Sequence, residues 1–208
     1  LYFVGATSPR GHLPTLLTGT ARLAASARRQ TDLVVVDTCG FVDGVAGQSL
    51  KFHQLELAQP RHVIGLQHGE ELEPLLGIAR RFTAAQVTAL PVHPGVVATS
   101  AEQRAENRRT RLERYFAAPL PRFVVRPTTF MPSLPAGFDL SALHGILVGL
   151  ADGRGGFLGV GVLEHADGTL RCAGPVARAP SGLRLGSARV DEAWRPRSVD
   201  LRGLLDNG

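Results

Sequence analysis

The sequence predicts an α/β fold: a parallel sheet with flanking helices, followed by a small β domain. Two observations carry this. Across residues 1–118 short apolar runs alternate with helix-periodic segments, which is the pattern of a parallel sheet. After Pro121 the texture changes to short runs rich in β-formers, separated by Gly-containing turns.

The elements follow in order. Residues 1–6, "LYFVGA", read as a short apolar strand, and "TSPRGH" as the loop after it. Leu13, Leu16, Leu17, Leu23 and Ala27 then fall on one helical face over 13–29, with Pro14 tolerable in the first turn. Residues 32–38 are a second strand, apolar on both faces as a central parallel strand would be. A Gly-rich loop leads to a helix over 46–58, stopped at Pro60. "HVIGLQ" is a third strand. "EELEPLLGIARRF" is a helix with acids at its start and bases at its end, matching the macrodipole. "QVTALPV" is a fourth strand. Ser100 opens "SAEQ", a capping box, so a helix runs from there to about Phe116. Beyond Pro121, "RFVVRPTTFM", "LHGILVGLAD", "FLGVGVLEHA", "TLRCAGPV" and "LRLGSARV" are strands of a β domain, and "DGRGG" and "ADG" are turn chemistry. The tail from residue 191 is expected to be loosely held. Residues 1–120 and 121–208 are thus the two expected domains.

Composition narrows the function classes. The chain has 208 residues, a formal charge of +5, and 23 Lys and Arg residues of which only Lys51 is lysine. Arginine forks suit a polyanionic partner. Cys39 and Cys172 do not make a disulfide framework, and the cytoplasm is the expected compartment. No apolar run approaches the length of a membrane helix, and no signal peptide is visible. The histidines show no metal-ligand spacing, so no metal site of protein ligands is expected.

Three stretches can carry chemistry. Asp37 ends an apolar strand where parallel sheets bind ligands, and with Gly40 it makes D-x-x-G, a nucleotide-sensor pattern. Thr7, Ser8 and Arg10 lie between a strand and a helix N-terminus, a position suited to an anion. Arg104, Arg108 and Arg111 share one face of the 100–116 helix, where arginines can neutralise charge on a transferring phosphoryl group. The sequence contains neither G-x-x-x-x-G-K-[ST] nor the guanine-reading N-K-x-D.

The segments "YFVGATSPRGHLPTLLTGTARL", "DLVVVDTCGFVDGVAGQSLKFHQLELAQPRHVIGLQHGEELEPLL" and "GVVATSAEQRAENRRTRLERYF" together resemble, in this order, the polynucleotide 5'-hydroxyl kinase family. "LHGILVGLADGRGGFLGVGVLEHADGTLR" and "LRLGSARV" are similar to the small C-terminal β domain of its prokaryotic members. The resemblance implies transfer of the ATP γ-phosphate to the 5'-hydroxyl of RNA or DNA, with Mg2+. It implies that Thr38, Gly40 and Phe41 form a T-x-G-aromatic clasp for the polynucleotide end, with Asp37 beneath. Arg104 and Arg108 become the catalytic lid arginines, while a further lid arginine of the family is Thr99 here. The family's phosphate loop and its magnesium-binding acidic strand are expected upstream of Leu1, so the 208 residues alone are expected to be inactive. Two other readings fit the residues: a catalytically inactive relative that binds or scaffolds RNA, and another P-loop NTPase that uses D-x-x-G as its sensor.

Overall fold

The computed structural model describes residues 1–206. They form two compact units, Pro9–Ala98 and the segment Leu1–Ser8 together with Thr99 onward.

In the first unit, helix α1 spans Leu13–Arg28, with Pro14 in its first turn, and helix α2 spans Gly44–Ala58. The two pack together, with Gly19 and Ala24 buried on α1 and Leu50 fully buried on α2. The chain leaves α2 through Gln59, whose φ of 42° is the left-handed cap that turns it toward Pro60. The Arg28 guanidinium donates to the Ala58 carbonyl and so closes the end of α2. Strand β1, His62–Gln67, pairs parallel with β2, Gln86–Pro91, in register from His62 opposite Gln86 to Gln67 opposite Pro91. Helix α3, Glu73–Phe82, makes the crossover. Gly65 has a structural reason: a Cβ there would lie 2.8 Å from Leu76 of α3. Buried Gln67 ties strand to helix, accepting from Leu72 N at 3.1 Å and donating to Glu73 Oε1 at 3.0 Å.

The first helix of the second unit is α4, Ala101–Tyr115, whose capping box forms as read: Gln103 N donates to Ser100 Oγ and Ser100 N to Gln103 Oε1. Strands β3 (Arg122–Val124), β4 (Phe130–Met131), β5 (Ile146–Ala151), β6 (Phe157–Ala166), β7 (Thr169–Ala173), β8 (Gly182–Val190) and β9 (Pro196–Ser198) follow, then α5, Leu201–Asp206. Among the described residues they make one sheet in the order β3-β7-β6-β5-β8-β4, with β9 on β8. All pairings are antiparallel except β4 with β8. The period of two sorts the side chains into a core on each face. Ile146, Val148, Leu150, Leu163, Cys172, Leu183 and Leu185 point to one face, which also takes Leu205 of α5. Leu147, Val162, Ala173, Ala188 and Val190 point to the other, which takes Phe116. Asp167 (φ 51°) and Gly168 (φ 68°) form the two-residue β6–β7 turn, as the Asp-Gly pair demands.

Three expectations are corrected. Residues 1–6 are not a strand; the segment lies on the β unit, where Phe3 is buried beside Phe157 and Ser187 N donates to the Gly5 carbonyl at 2.7 Å. Residues 32–38 are not a strand either. Val35 is 83% exposed and Leu33 76%. A strand exists by its ladder bonds, and β propensity without a neighbour does not supply them. Finally, the tail is docked rather than loose over 191–206: β9 pairs with β8, and Leu205 is buried; residues 207 and 208 lie outside the described residues.

Candidate functional site

The segment Asp37–Phe41 runs from the unpaired stretch toward α2. Asp37, Thr38, Cys39 and Gly40 are exposed and Phe41 is half-buried. Lys51, one α2 turn and more inside that helix, donates to the Cys39 carbonyl at 2.5 Å and lies 3.8 Å from the Cys39 thiol. Burial pulls the Lys51 amine below the ordinary lysine value, and the nearby Cys39 and Asp37 pull the other way. The chain's single lysine thus braces the backbone of the D-T-C-G-F loop. The Arg10 guanidinium stands over the Phe41 ring, 5.4 Å from its centroid, within cation–π range. Two stretches singled out separately in the sequence therefore meet: Arg10 caps one face of Phe41. That pairing was not foreseen, because thirty residues of α1 and loop intervene.

Thr7 and Ser8 are exposed in a bend, and they belong to the compact unit of the β sheet, whereas Arg10 belongs to the other. Among the described residues no group of three His, Cys, Asp or Glu side chains could hold a metal ion.

On α4 the arginines divide. Arg109 is committed to the helix itself, bonded to Glu106 at 2.7 Å and Glu113 at 2.9 Å. Those two carboxylates raise its basicity above the ordinary arginine value. Arg104, Arg108 and Arg111 lie exposed, and among the described residues no carboxylate is within ion-pair distance of Arg104 or Arg108. Arg104 donates to the Thr99 carbonyl one turn back. Leu112 and Phe116, one to three turns further along the helix, pack into the β-unit core. The helix thus presents guanidinium groups whose charge is not spent on neighbouring acids.

Comparison with known proteins decides what these pieces belong to. The profile of the family described as "mRNA cleavage and polyadenylation factor CLP1 P-loop" matches residues 1–118, more than half of the chain. The chain belongs to this family. Among similar curated proteins, the polyribonucleotide 5'-hydroxyl-kinase of Methanocaldococcus jannaschii is 33% identical over 116 residues, 55% of this chain and 31% of that protein. That of Pyrococcus horikoshii is 31% identical over 115 residues, 55% and 30%. That of Thermococcus kodakarensis is 28% identical over 247 aligned residues, covering 92% of this chain and 69% of that protein. The chain therefore spans about a third of the length of the first and two thirds of the last. The Thermococcus alignment carries the likeness beyond residue 118 into the β unit.

Within this member of the CLP1 P-loop family, the profile takes in both the D-T-C-G-F loop and α4. The match ends near the expected boundary at residue 120, while α4 belongs to the compact unit of the β sheet. One feature the sequence reading passed over is the turn 191–195, which stacks Trp194 on Phe116 at the end of α4. Its signal was available in "DEAW": an Asp placed to cap a turn before the chain's one tryptophan.

Proposed function

We propose that the protein is an ATP-dependent polynucleotide 5'-hydroxyl kinase of RNA processing or repair. Membership of the CLP1 P-loop family is the observation that carries this reading. Curated relatives named polyribonucleotide 5'-hydroxyl-kinases support it. In the reaction the 5'-oxygen of RNA or DNA bonds to the γ-phosphorus, the bond to the β,γ-bridging oxygen breaks, ADP leaves and the hydroxyl proton is lost. Most of such catalysis is positioning and charge stabilisation.

Each residue then has a role. Thr38, Gly40 and Phe41 hold the polynucleotide end, Phe41 offering a ring face to a base. Arg10 keeps the opposite face of that ring covered and adds a cation for phosphate. Thr7 and Ser8 supply further substrate contacts. Arg104 and Arg108, exposed and not ion-paired, are the arginines for the transferring phosphate. Mg2+ is commonly held through one or two carboxylates plus substrate phosphates, and Asp37 fits that donor set. Mg2+, when bound, neutralises phosphate charge. The two free thiols accord with a cytosolic, reducing setting. Among the described residues no helix is long and apolar enough to cross a membrane.

The test uses the full-length protein with γ-labelled ATP and an RNA oligonucleotide bearing a 5'-hydroxyl. Label is expected on that oligonucleotide and not on a 5'-phosphorylated control. Arg104→Ala is expected to lower turnover by about a hundredfold or more with RNA affinity retained. Phe41→Ala is expected to weaken RNA binding by about 1–3 kcal/mol. RNA binding without any label transfer would replace this reading with a non-catalytic RNA-binding role.

A further inference from the structure

The arginine helix packs on the β sheet through its C-terminal end. Residues 101–108 of α4 are all exposed, and the helix buries no residue of its own. Its grip begins in the last turn. Leu112 packs on the second core, and Phe116, the C-cap, is 5% exposed within it. Two contacts fix this end. The Phe116 and Trp194 rings are stacked, with centroids 4.6 Å apart and planes 4° from parallel. The Tyr115 hydroxyl accepts a hydrogen bond from Val160 N of β6 at 2.9 Å. Gly159 leaves room for it, since a Cβ there would stand 2.7 Å from that oxygen.

Trp194 is itself held in place at a cost. Its φ of 59° is left-handed, an uncommon conformation for a bulky side chain. Asp191 imposes it. One oxygen of its carboxylate, Oδ1, accepts from both Ala193 N at 3.0 Å and Arg195 N at 2.9 Å, while Trp194 N donates to the Asp191 carbonyl at 3.0 Å. Arg195, the last residue of this turn, lies close enough to α4 to add a small pull on the Glu106 carboxylate, whose main partner is Arg109. Strain of this kind persists only where the surroundings over-determine it.

The lever arm gives this mount its meaning. Arg104 lies about 18 Å along the helix axis from Phe116, and Arg108 about 12 Å. A tilt of about 3° at the mount therefore moves Arg104 by roughly 1 Å, a displacement that costs on the order of a hundredfold when a catalytic group must meet its target.

We infer that the 191–195 turn and β6 are the mount of the arginine helix, and that Trp194 and Tyr115 are positioning residues for Arg104 and Arg108. The 191–195 turn and β6 thereby have a part in the reaction through the helix they hold. This inference rests on the kinase reading for its catalytic half, and on local geometry alone for its mechanical half.

The experiment has two readouts on the full-length protein. In Trp194→Ala, amide hydrogen exchange over 101–112 is expected to quicken while β5 and β6 keep their protection. The same variant is expected to lose about tenfold or more in kcat with KM for ATP and for the oligonucleotide within about twofold. Trp194→Phe, which keeps a ring to stack, is expected to restore most of both. Should Trp194→Ala expose β5 as well, it has unfolded, and Tyr115→Phe decides instead. That change removes one hydroxyl and is expected to lower kcat about threefold with faster exchange at 113–116. Unchanged helix exchange in the decisive variant overturns the mount. Faster exchange with unchanged kcat overturns the positioning role. A wild-type protein without transfer activity overturns the kinase reading and the catalytic half with it, while the exchange result still decides the mount.

Discussion

At the scale of single residues, environment separates side chains that the sequence presents as equals. Cys172 is fully buried in the β-unit core, and burial pushes its thiol up to about 12. Cys39 is exposed in the D-T-C-G-F loop. Because the thiolate is the nucleophile, a disulfide reagent at neutral pH is expected to titrate one thiol quickly and the second only after denaturation. Two fast thiols would mean that the β-unit core is open. The arginines of α4 divide in the same manner. Arg109 lies between two glutamates at helical spacing, which the sequence already places three and four residues away. Arg104 and Arg108 have no glutamate at that spacing, and among the described residues neither is within ion-pair distance of a carboxylate. The stacking of Arg10 over Phe41, by contrast, joins residues far apart in the chain and is invisible to any local pattern.

At the scale of elements, those with all their determinants nearby form where the sequence puts them. The capping box at Ser100, the Asp-Gly turn at 167–168 and β6 over Phe157–Ala166 match the expected positions to the residue or nearly so. The two apolar runs at 1–6 and 32–38 do not become strands, because their ladder partners are not set by their own composition. The 191–195 turn is local again, and it carries a pH prediction. The amides of Arg195 and Ala193 hold the Asp191 carboxyl below the ordinary aspartate value of 3.8, Arg195 contributing most. With the folded value depressed, the stability that these bonds contribute is present above about 3.8 and is lost as pH falls through the folded value. Trp194 is the only tryptophan, so its fluorescence reports this turn. A change in emission is expected on acidification below that point, lost in Asp191→Asn, and none between neutrality and pH 5. A transition centred near neutrality would show that another group governs the turn.

At the scale of the whole molecule, stability is concentrated in the β sheet, where β5 is buried on both faces and separates two cores. Leu150→Ala is expected to cost about 2–5 kcal/mol, read as a lower denaturant midpoint, since a fully buried side chain leaves a cavity that the sheet cannot close. In the wild-type protein the amides of 33–38 are expected to exchange much faster than those of β5. Protection of 33–38 equal to β5 would show that this stretch is paired in solution. The family match covers this unpaired stretch as well as α4, while α4 is physically part of the β unit. The family match and the compact units thus divide the chain at different points: α4 lies within the matched stretch in sequence and rests on the β sheet in space.

The sequence by itself determined the α/β class, the order of nearly all elements, the capped arginine helix and the kinship that its motifs announce. These rest on periodicity, caps and turn residues, each specified within a few positions of the chain. Only the tertiary structure decided that Phe3 and the C-terminal tail dock on the β unit, that Arg10 covers Phe41, and that Trp194 grips the end of α4. Each of those depends on which distant surface is free to bury an apolar group or a ring, and that is a property of packing rather than of local pattern.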